Sequence, residues 1–138
     1  MEVYSNPVNY FVADFFGSPS MNLLAGEIVP GEDGARFRSA AFEIGLPSRF
    51  KSARAGAATL GVRPEHVMLG GAPGIELPVR LVEPLGRDTL IYFDAACARP
   101  FIAVSEGLSR ADIPIGSSLR LSLAPDRVHL FDGDGRRM

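Results

Sequence analysis

Short apolar segments interrupted by glycine and proline constrain the fold of this chain more than any other feature of its sequence. The 138 residues include 15 glycines and 11 prolines, the residue types that most often mark turns. Between these turns apolar and polar residues alternate, as in Leu119, Leu121 and Leu123 with Arg120 and Ser122 between them. Alternation with a period of two is typical of a half-buried β-strand. The sequence therefore predicts a mainly β domain, a small barrel of short antiparallel strands.

The predicted strands fall into two groups on either side of the loop at 70–74, which reads Gly-Gly-Ala-Pro-Gly. We interpret this loop as a boundary between two halves of one barrel. The first half is predicted to hold strands at 22–29, 35–38, 41–46 and 57–63, and the apolar pattern resumes at 67–69. The second half is predicted to hold strands at 77–82, 89–95, 99–105, 119–123 and 128–131. In the strand at 77–82, the alternation places Leu77, Val79 and Leu81 on one face.

The first 20 residues are predicted to contain a short amphipathic helix. Asn6 is a good N-cap, and Pro7 suits the first helical position. Gly17 is well placed to end the helix. Four apolar residues recur between these ends at i, i+3, i+4 and i+7, and they are Val8, Phe11, Val12 and Phe15. We therefore divide the chain into a helix at 1–20 and a barrel domain at 21–138.

Charge and cysteine content argue against several classes of function. The formal net charge of −2 gives no basic field that would attract nucleic acid or an anionic membrane. Cys97 is the only cysteine, so an intrachain disulfide is excluded and a reducing compartment is favoured. No export signal is visible, and no apolar run approaches the roughly 20 residues needed to cross a bilayer. We expect a cytoplasmic domain that meets a membrane only through a partner.

The sequence does not predict an enzyme. Lys51 is the only lysine, and it is not part of the phosphate-binding motif G-x-x-x-x-G-K-[ST]. His66 and His129 lack the spacing of a metal-ligand pair, and no nucleophile elbow supports a catalytic triad. We therefore expect no catalytic residue, no metal ligand and no cofactor site in this chain.

A proline-containing bend is the first candidate site. Pro64 keeps Arg63 out of the α region, so Arg63, Glu65 and His66 are expected to be displayed at a bend, where a neighbouring element or a partner can contact them. Two interpretations remain open. In one, Arg63 pairs with Glu65 or Glu83 and only fixes the turn, because a guanidinium suits carboxylates. In the other, the bend transmits information between domains.

A second charged turn has a similar composition. Glu83 and Asp88 flank Gly86 within the segment Val-Glu-Pro-Leu-Gly-Arg-Asp-Thr at 82–89. Gly86 is expected to adopt a positive φ, which other residues adopt only at a cost. The three residues are candidates for the same interface as the first bend.

Four stretches of the chain together carry a family resemblance. They read NYFVADFFGSPSMN at 9–22, GVRPEH at 61–66, VEPLGRDT at 82–89 and VHLFD at 128–132. In the same order, they resemble FVA-FIGSP-MN, GIRPEH, VE-LG-ET and HLFD in the C-terminal regulatory domain of the ATP-binding subunits of ABC importers. The group with the greatest similarity is that of the maltose, glycerol-phosphate and related sugar importers.

The resemblance implies a transport-associated (TOBE) regulatory domain with an OB-fold-like barrel. Two such domains stay associated in that family while the ATPase domains open and close, so the expected partner is a second copy of the chain. ATP and Mg²⁺ would be bound by an ATPase domain upstream of Met1, to which the helix at 1–20 would lead.

Further partners are implied by the same resemblance. The membrane subunits of the importer would be reached through the ATPase domain, a regulatory protein is a further candidate, and the domain would lie on the inner face of the cell membrane. The family role is carried over onto six positions as interface residues: Arg63, Glu65, His66, Glu83, Gly86 and Asp88.

Two other functions are compatible with an OB-like domain. One is sensing of an oxyanion or a sugar phosphate, with backbone amides and Arg63 or Arg87 as the expected ligands. The other is nucleic-acid binding, which needs exposed aromatic residues along a basic groove. The mild acidity of the chain and the placement of its aromatics within strands disfavour nucleic acid as a partner.

Overall fold

The computed structural model describes residues 21–32, 34–71, 74–97, 99–107 and 112–138. These ranges contain ten strands and three single-turn 3₁₀ helices, at Ser48–Phe50, Pro64–His66 and Pro125–Arg127. The strands are β1 Asn22–Gly31, β2 Gly34–Arg38, β3 Glu43–Gly45, β4 Gly56–Val62, β5 Val67–Leu69, β6 Ile75–Leu85, β7 Asp88–Phe93, β8 Phe101–Glu106, β9 Ser118–Leu123 and β10 His129–Phe131. The helix predicted within 1–20 lies outside the described residues.

The strands form two five-stranded sheets. The first has the order β10-β4-β1-β2-β3, and the second has the order β5-β9-β6-β7-β8. Every strand pairing is antiparallel. The prediction of a mainly β domain with short antiparallel strands is therefore confirmed, although the strands are arranged as two sheets around one shared core.

The loop at 70–74 does not divide the domain into two halves. β5 precedes this loop but pairs with β9, while β10 follows it and pairs with β4. Each sheet therefore contains one strand from the other side of the loop. The predicted boundary is wrong because pairing between strands distant in sequence, which local turn signals do not report, decides the topology.

The core is built from the inward-facing residues of both sheets. Five of its largest members are completely buried: Phe37, Leu60, Ile91, Phe93 and Leu121. Each such side chain contributes about 1.5–3 kcal/mol by leaving water. This shared core fixes the positions of the loops and turns that carry the candidate sites.

A β-bulge in β6 changes the face on which its later residues lie. The register of β6 with β7 shifts between Val79 and Leu81. Val79 and Val82 are buried, but Leu81 is 44% exposed. The prediction that Leu81 shares a buried face with Val79 is therefore wrong, since one extra residue in a strand reverses the side-chain alternation beyond it.

Candidate regulatory interface

The proline bend joins the two sheets. β4 ends at Val62, and Arg63 has the extended φ of −73° and ψ of 148° that a following proline favours. Pro64 then opens the 3₁₀ helix Pro64–His66, in which the amide of His66 donates to the carbonyl of Arg63 at 2.9 Å. The amide of Ala124 donates to the carbonyl of His66 at 3.2 Å, which fixes the end of the bend beside β9.

The three charged or titratable side chains of this bend are not equally accessible. Glu65 is exposed and His66 is partly buried, whereas Arg63 is only 3% exposed. At this exposure Arg63 can contact a neighbouring element of the domain but not a partner, so only one of the two expected kinds of contact is open to it. The 3₁₀ helix Pro64–His66 that follows Arg63 packs against β8.

Neither an Arg63–Glu65 nor an Arg63–Glu83 ion pair is present among the described residues. The ion pairs that do join described residues link Arg36 to Glu43, Arg38 to Glu27, and Arg87 to Asp88 and Glu106. Glu83 instead accepts a hydrogen bond from the hydroxyl of Tyr92 at 3.0 Å. Burial raises the pKa of Tyr92, and the hydrogen bond to Glu83 adds to the rise.

The fold brings His66 and His129 into one electrostatic environment with Arg63. Burial lowers the pKa of His66, and Glu65 opposes this effect. The pKa of His129 is lowered to about 4, mainly by burial and then by the positive charges of Arg137, Arg49 and Arg63. Both histidines are therefore held neutral near pH 7.

The second candidate site is the hairpin between β6 and β7. Leu85 pairs with Asp88, so Gly86 and Arg87 form a two-residue turn. Gly86 has a φ of +75°, in agreement with the expectation from sequence. The Nε atom of Arg87 lies 3.9 Å from a carboxylate oxygen of Asp88 and 3.6 Å from one of Glu106.

The six predicted interface residues thus lie in two separate groups. Arg63, Glu65 and His66 follow a strand of the first sheet, while Glu83, Gly86 and Asp88 belong to a hairpin of the second. The contact of the first bend with β8 connects them, because β8 pairs with β7. Leu81 and Leu85, at 44% and 56% exposure, lie beside the second group and were not predicted as site residues.

The described residues do not fit the phosphates of ATP or their Mg²⁺. Lys51 follows the 3₁₀ helix Ser48–Phe50 and is exposed, without the glycine-rich loop that positions a phosphate-binding lysine. Within the described ranges there is no group of three or more His, Cys, Asp or Glu residues that could hold a metal ion.

Comparison with known families decides the classification of this two-sheet domain. The model of the TOBE domain matches residues 60–131. The chain belongs to the TOBE domain family. A second model, the MalK OB fold domain, matches residues 17–67 of the chain. The resemblance to the regulatory region of sugar-importer ATP-binding subunits is therefore confirmed, as is the OB fold.

Relatives of this TOBE domain are importer subunits. The sn-glycerol-3-phosphate import ATP-binding protein UgpC of Shigella boydii is 36% identical over 143 residues, which cover 100% of this chain and 38% of that protein. UgpC of Escherichia coli K12 is 35% identical with the same coverage. The xylose/arabinose import ATP-binding protein XacK of Haloferax volcanii is 34% identical, over 97% of this chain and 36% of that protein. The chain thus spans just over a third of the length of these relatives.

A solved structure shows a similar fold. The cytoplasmic molybdate-binding protein ModG superimposes with a TM-score of 0.60 and 12% identity, covering 79% of this chain and 94% of that one. At this identity the similarity concerns the fold alone.

Among the residues that the structure describes, none belongs to a helix with the length and apolarity needed to cross a bilayer.

Proposed function

We propose that this TOBE domain is the regulatory and dimerisation domain of the ATP-binding subunit of a bacterial sugar or sugar-phosphate ABC importer. One observation carries the proposal: the chain aligns over its whole length with import ATP-binding proteins while covering 38% of their length. The remaining length of such a protein would hold the ATPase domain, with ATP and Mg²⁺ as its ligands. The chain itself would not be an enzyme.

The proposed mechanism depends on the rigidity of the two-sheet domain. Two sheets around one core form a unit that does not deform easily, so a pair of these domains can act as a fixed pivot. ATPase domains attached to the pivot would open and close as hinged bodies. A regulatory protein that binds one of these states more tightly would shift the equilibrium between them.

The β6–β7 hairpin is the surface we assign to the contact between two copies. It presents the apolar side chains of Leu81 and Leu85 beside the ion-paired cluster of Arg87, Asp88 and Glu106. A contact around a two-fold axis must be self-complementary, and a surface with apolar residues and both signs of charge meets this requirement. The two groups at Arg63–His66 and Glu83–Asp88 would then relay changes at this contact through β8 and β7.

The oligomeric state of the 138-residue chain tests this assignment. Light scattering after gel filtration should give twice the 14.8 kDa mass of one chain at concentrations of about 0.1 mM. Leu85→Arg should convert the dimer to a monomer, because it places a charge in an apolar contact. Ile115→Arg is the matched control, since Ile115 is 65% exposed and lies outside the hairpin. A monomer in the unaltered chain, or an equal loss in both variants, would contradict the assignment.

The importer role has a separate test. In E. coli K12 UgpC, the region that aligns with this chain can be replaced by it, and uptake of glycerol 3-phosphate can be measured. We expect uptake well above that of a UgpC lacking the region, and a loss of this gain with Leu85→Arg. The subunit would act at the cytoplasmic face of the cell membrane, in a complex with the membrane subunits. A stable chimera with no more uptake than the truncated protein would overturn the proposal.

A further inference from the structure

The chain enters this domain on one sheet, whereas the surface assigned to the contact between copies lies on the other. β1 of the first sheet begins at Asn22, directly after residues 1–20, and the β6–β7 hairpin belongs to the second sheet. In the proposed subunit, movement of the ATPase domain would arrive through residues 1–20. This movement must therefore pass from the first sheet to the second before it reaches the hairpin.

The residues at the point of entry are fixed to the first sheet. Met21 is buried and forms a small cluster with Phe131. Its Sδ atom lies only 2.8 Å from the place that a Cβ atom on Gly61 would occupy, so Met21 packs directly on the backbone of β4. Asn22, the next residue, pairs with Val62 of the same strand. The chain therefore enters the domain at a defined position.

The side chain of Asn22 crosses from this position to the second sheet. Its Nδ2 atom donates to the carbonyl of Ile102 at 2.8 Å, and the amide of Ile102 donates to its Oδ1 atom at 2.7 Å. The shared core also joins the two sheets, but apolar contacts have no preferred direction. Hydrogen bonds restrict both distance and angle, so this pair of bonds fixes the edge strand β8 against the start of β1.

A series of contacts continues from Ile102 to the hairpin. Ile102 lies opposite Tyr92 of β7. Because the backbone groups of Ile102 are turned towards Asn22, this is a pair without mutual hydrogen bonds, the kind in which side chains approach most closely. Tyr92 lies opposite Leu81 of β6, and its hydroxyl donates to Glu83 at 3.0 Å. The series thus ends beside Leu81, one of the two apolar residues assigned to the contact between copies.

We propose that Asn22 is a positioning residue of the importer subunit, which holds the second sheet and its β6–β7 hairpin in a fixed orientation to the incoming chain. Movement of the ATPase domain would then turn the whole domain as one body about the contact between copies. Without the two hydrogen bonds, β8 would shift against β1 and part of the movement would be absorbed inside the domain. This role rests on the proposed function.

Hydrogen exchange of the 138-residue chain, followed at single residues by NMR, tests the link without transport. In Asn22→Ala, the acceleration of exchange in β7 and β8 should be at least fivefold larger than in β2 and β3. The reason is that local opening of the far edge of the first sheet leaves Asn22 in place, whereas opening of β8 does not. Equal acceleration in all four strands would show a general loss of stability only, and it would overturn the proposal.

The chimera of E. coli K12 UgpC tests the role in transport. The amount of ATP hydrolysed for each glycerol 3-phosphate taken up should rise at least threefold in Asn22→Ala, because hydrolysis continues while less movement is transmitted. Tyr92→Phe, which removes the hydrogen bond to Glu83, should have a smaller effect. The double variant should resemble Asn22→Ala alone, since both changes interrupt one series of contacts.

Ile91→Val is the matched control for this ratio. Ile91 is completely buried and neighbours Tyr92 on the opposite face of β7, so the substitution lowers stability without removing a contact of the series. The ratio should stay the same as in the unaltered chimera. An unchanged ratio in Asn22→Ala, or an equal rise in Ile91→Val, would refute the role of Asn22 and leave the proposed function intact. A chimera without uptake would overturn the proposed function, and this role with it.

Discussion

The side chain of Asn22 exchanges two hydrogen bonds with the backbone of Ile102, 80 residues later. Asn22 Nδ2 donates to the carbonyl of Ile102 at 2.8 Å, and the amide of Ile102 donates to Asn22 Oδ1 at 2.7 Å. Asn22 begins β1 of the first sheet, while Ile102 belongs to β8, an edge strand of the second. One side chain therefore forms the two backbone hydrogen bonds that a neighbouring strand would otherwise form with this edge strand, and it links the two sheets.

Replacing this link should destabilise the domain. Asn22 is only 5% exposed, so Asn22→Ala would remove two hydrogen bonds from a mostly buried site and lower the free energy of unfolding by about 1–3 kcal/mol. Urea denaturation measures the change. Ser39→Ala is a useful comparison, because Ser39 bonds only to groups two and three residues away. We expect a smaller loss there, and equal losses would show that Asn22 has no special role in joining the sheets.

Gly61, in the proline-bend motif, should not tolerate a methyl group. A Cβ atom at this position would lie 2.8 Å from Met21 Sδ and 2.9 Å from Phe131 Cε2. Met21 and Phe131 form a second small buried cluster on the other face of β4. Gly61→Ala should therefore cost about 1–3 kcal/mol by overpacking. In Gly133→Ala, where the added atom meets no neighbour within 4 Å, thermal unfolding should be almost unchanged.

Ala96 is a position where glycine should improve stability. Its φ of +58° lies in the left-handed region, which costs an L-residue about 1 kcal/mol. Its amide bonds to the side chain of Asp94 at 2.9 Å, so the conformation is fixed by the turn. Ala96→Gly should raise the free energy of unfolding by about 0.5 kcal/mol, after the entropy that glycine gains in the unfolded chain.

A glycine-to-alanine substitution in the β6–β7 hairpin should instead lower the free energy of unfolding. Gly86→Ala, at a φ of +75°, should lower stability by about 1 kcal/mol, although the added methyl group has free space. Chemical denaturation of the two variants under one condition compares them directly. Stability changes of the same sign would contradict the assignment of backbone strain.

Stability should fall at acid pH partly because of His129. Its pKa in the folded chain is about 4, below the ordinary value of 6.5, so the unfolded chain binds more protons between these values. The contribution is complete above pH 6.5 and is lost as the pH falls towards 4. Because the side chain is partly exposed and solvent screens it, we expect about 1–2 kcal/mol rather than the full value of the shift.

The comparison of the unaltered chain with His129→Gln isolates this effect from the titration of carboxylates. Both proteins should lose stability on acidification, and the variant should lose less between pH 6.5 and 4. Parallel stability curves over this interval would mean that His129 titrates normally in the folded chain.

Local signals predicted the strands but not their partners. Nine of the ten strands lie at or near their predicted positions, and β5 covers the apolar residues at 67–69, because alternation and turn residues are properties of a few adjacent residues. The reversal at Leu81 was missed, since a bulge depends on the register with β7. The candidate sites show the same limit: Gly86 adopts its predicted φ, but the burial of Arg63 is a tertiary property that the local sequence did not report.

By itself, the sequence determined the strand content, the turns and the family of this protein, because each of these is recognised from short stretches of residues that are adjacent in the chain. Only the tertiary structure decided that β5 and β10 each pair in the sheet formed mainly by the other half of the chain. It also decided that Asn22 forms hydrogen bonds with the backbone of Ile102, and that Ile102 lies opposite Tyr92 in the second sheet. The physical reason is that a sheet pairs backbone groups, which are the same in every residue except proline. The choice of partner strand is therefore made by the collective packing of the core.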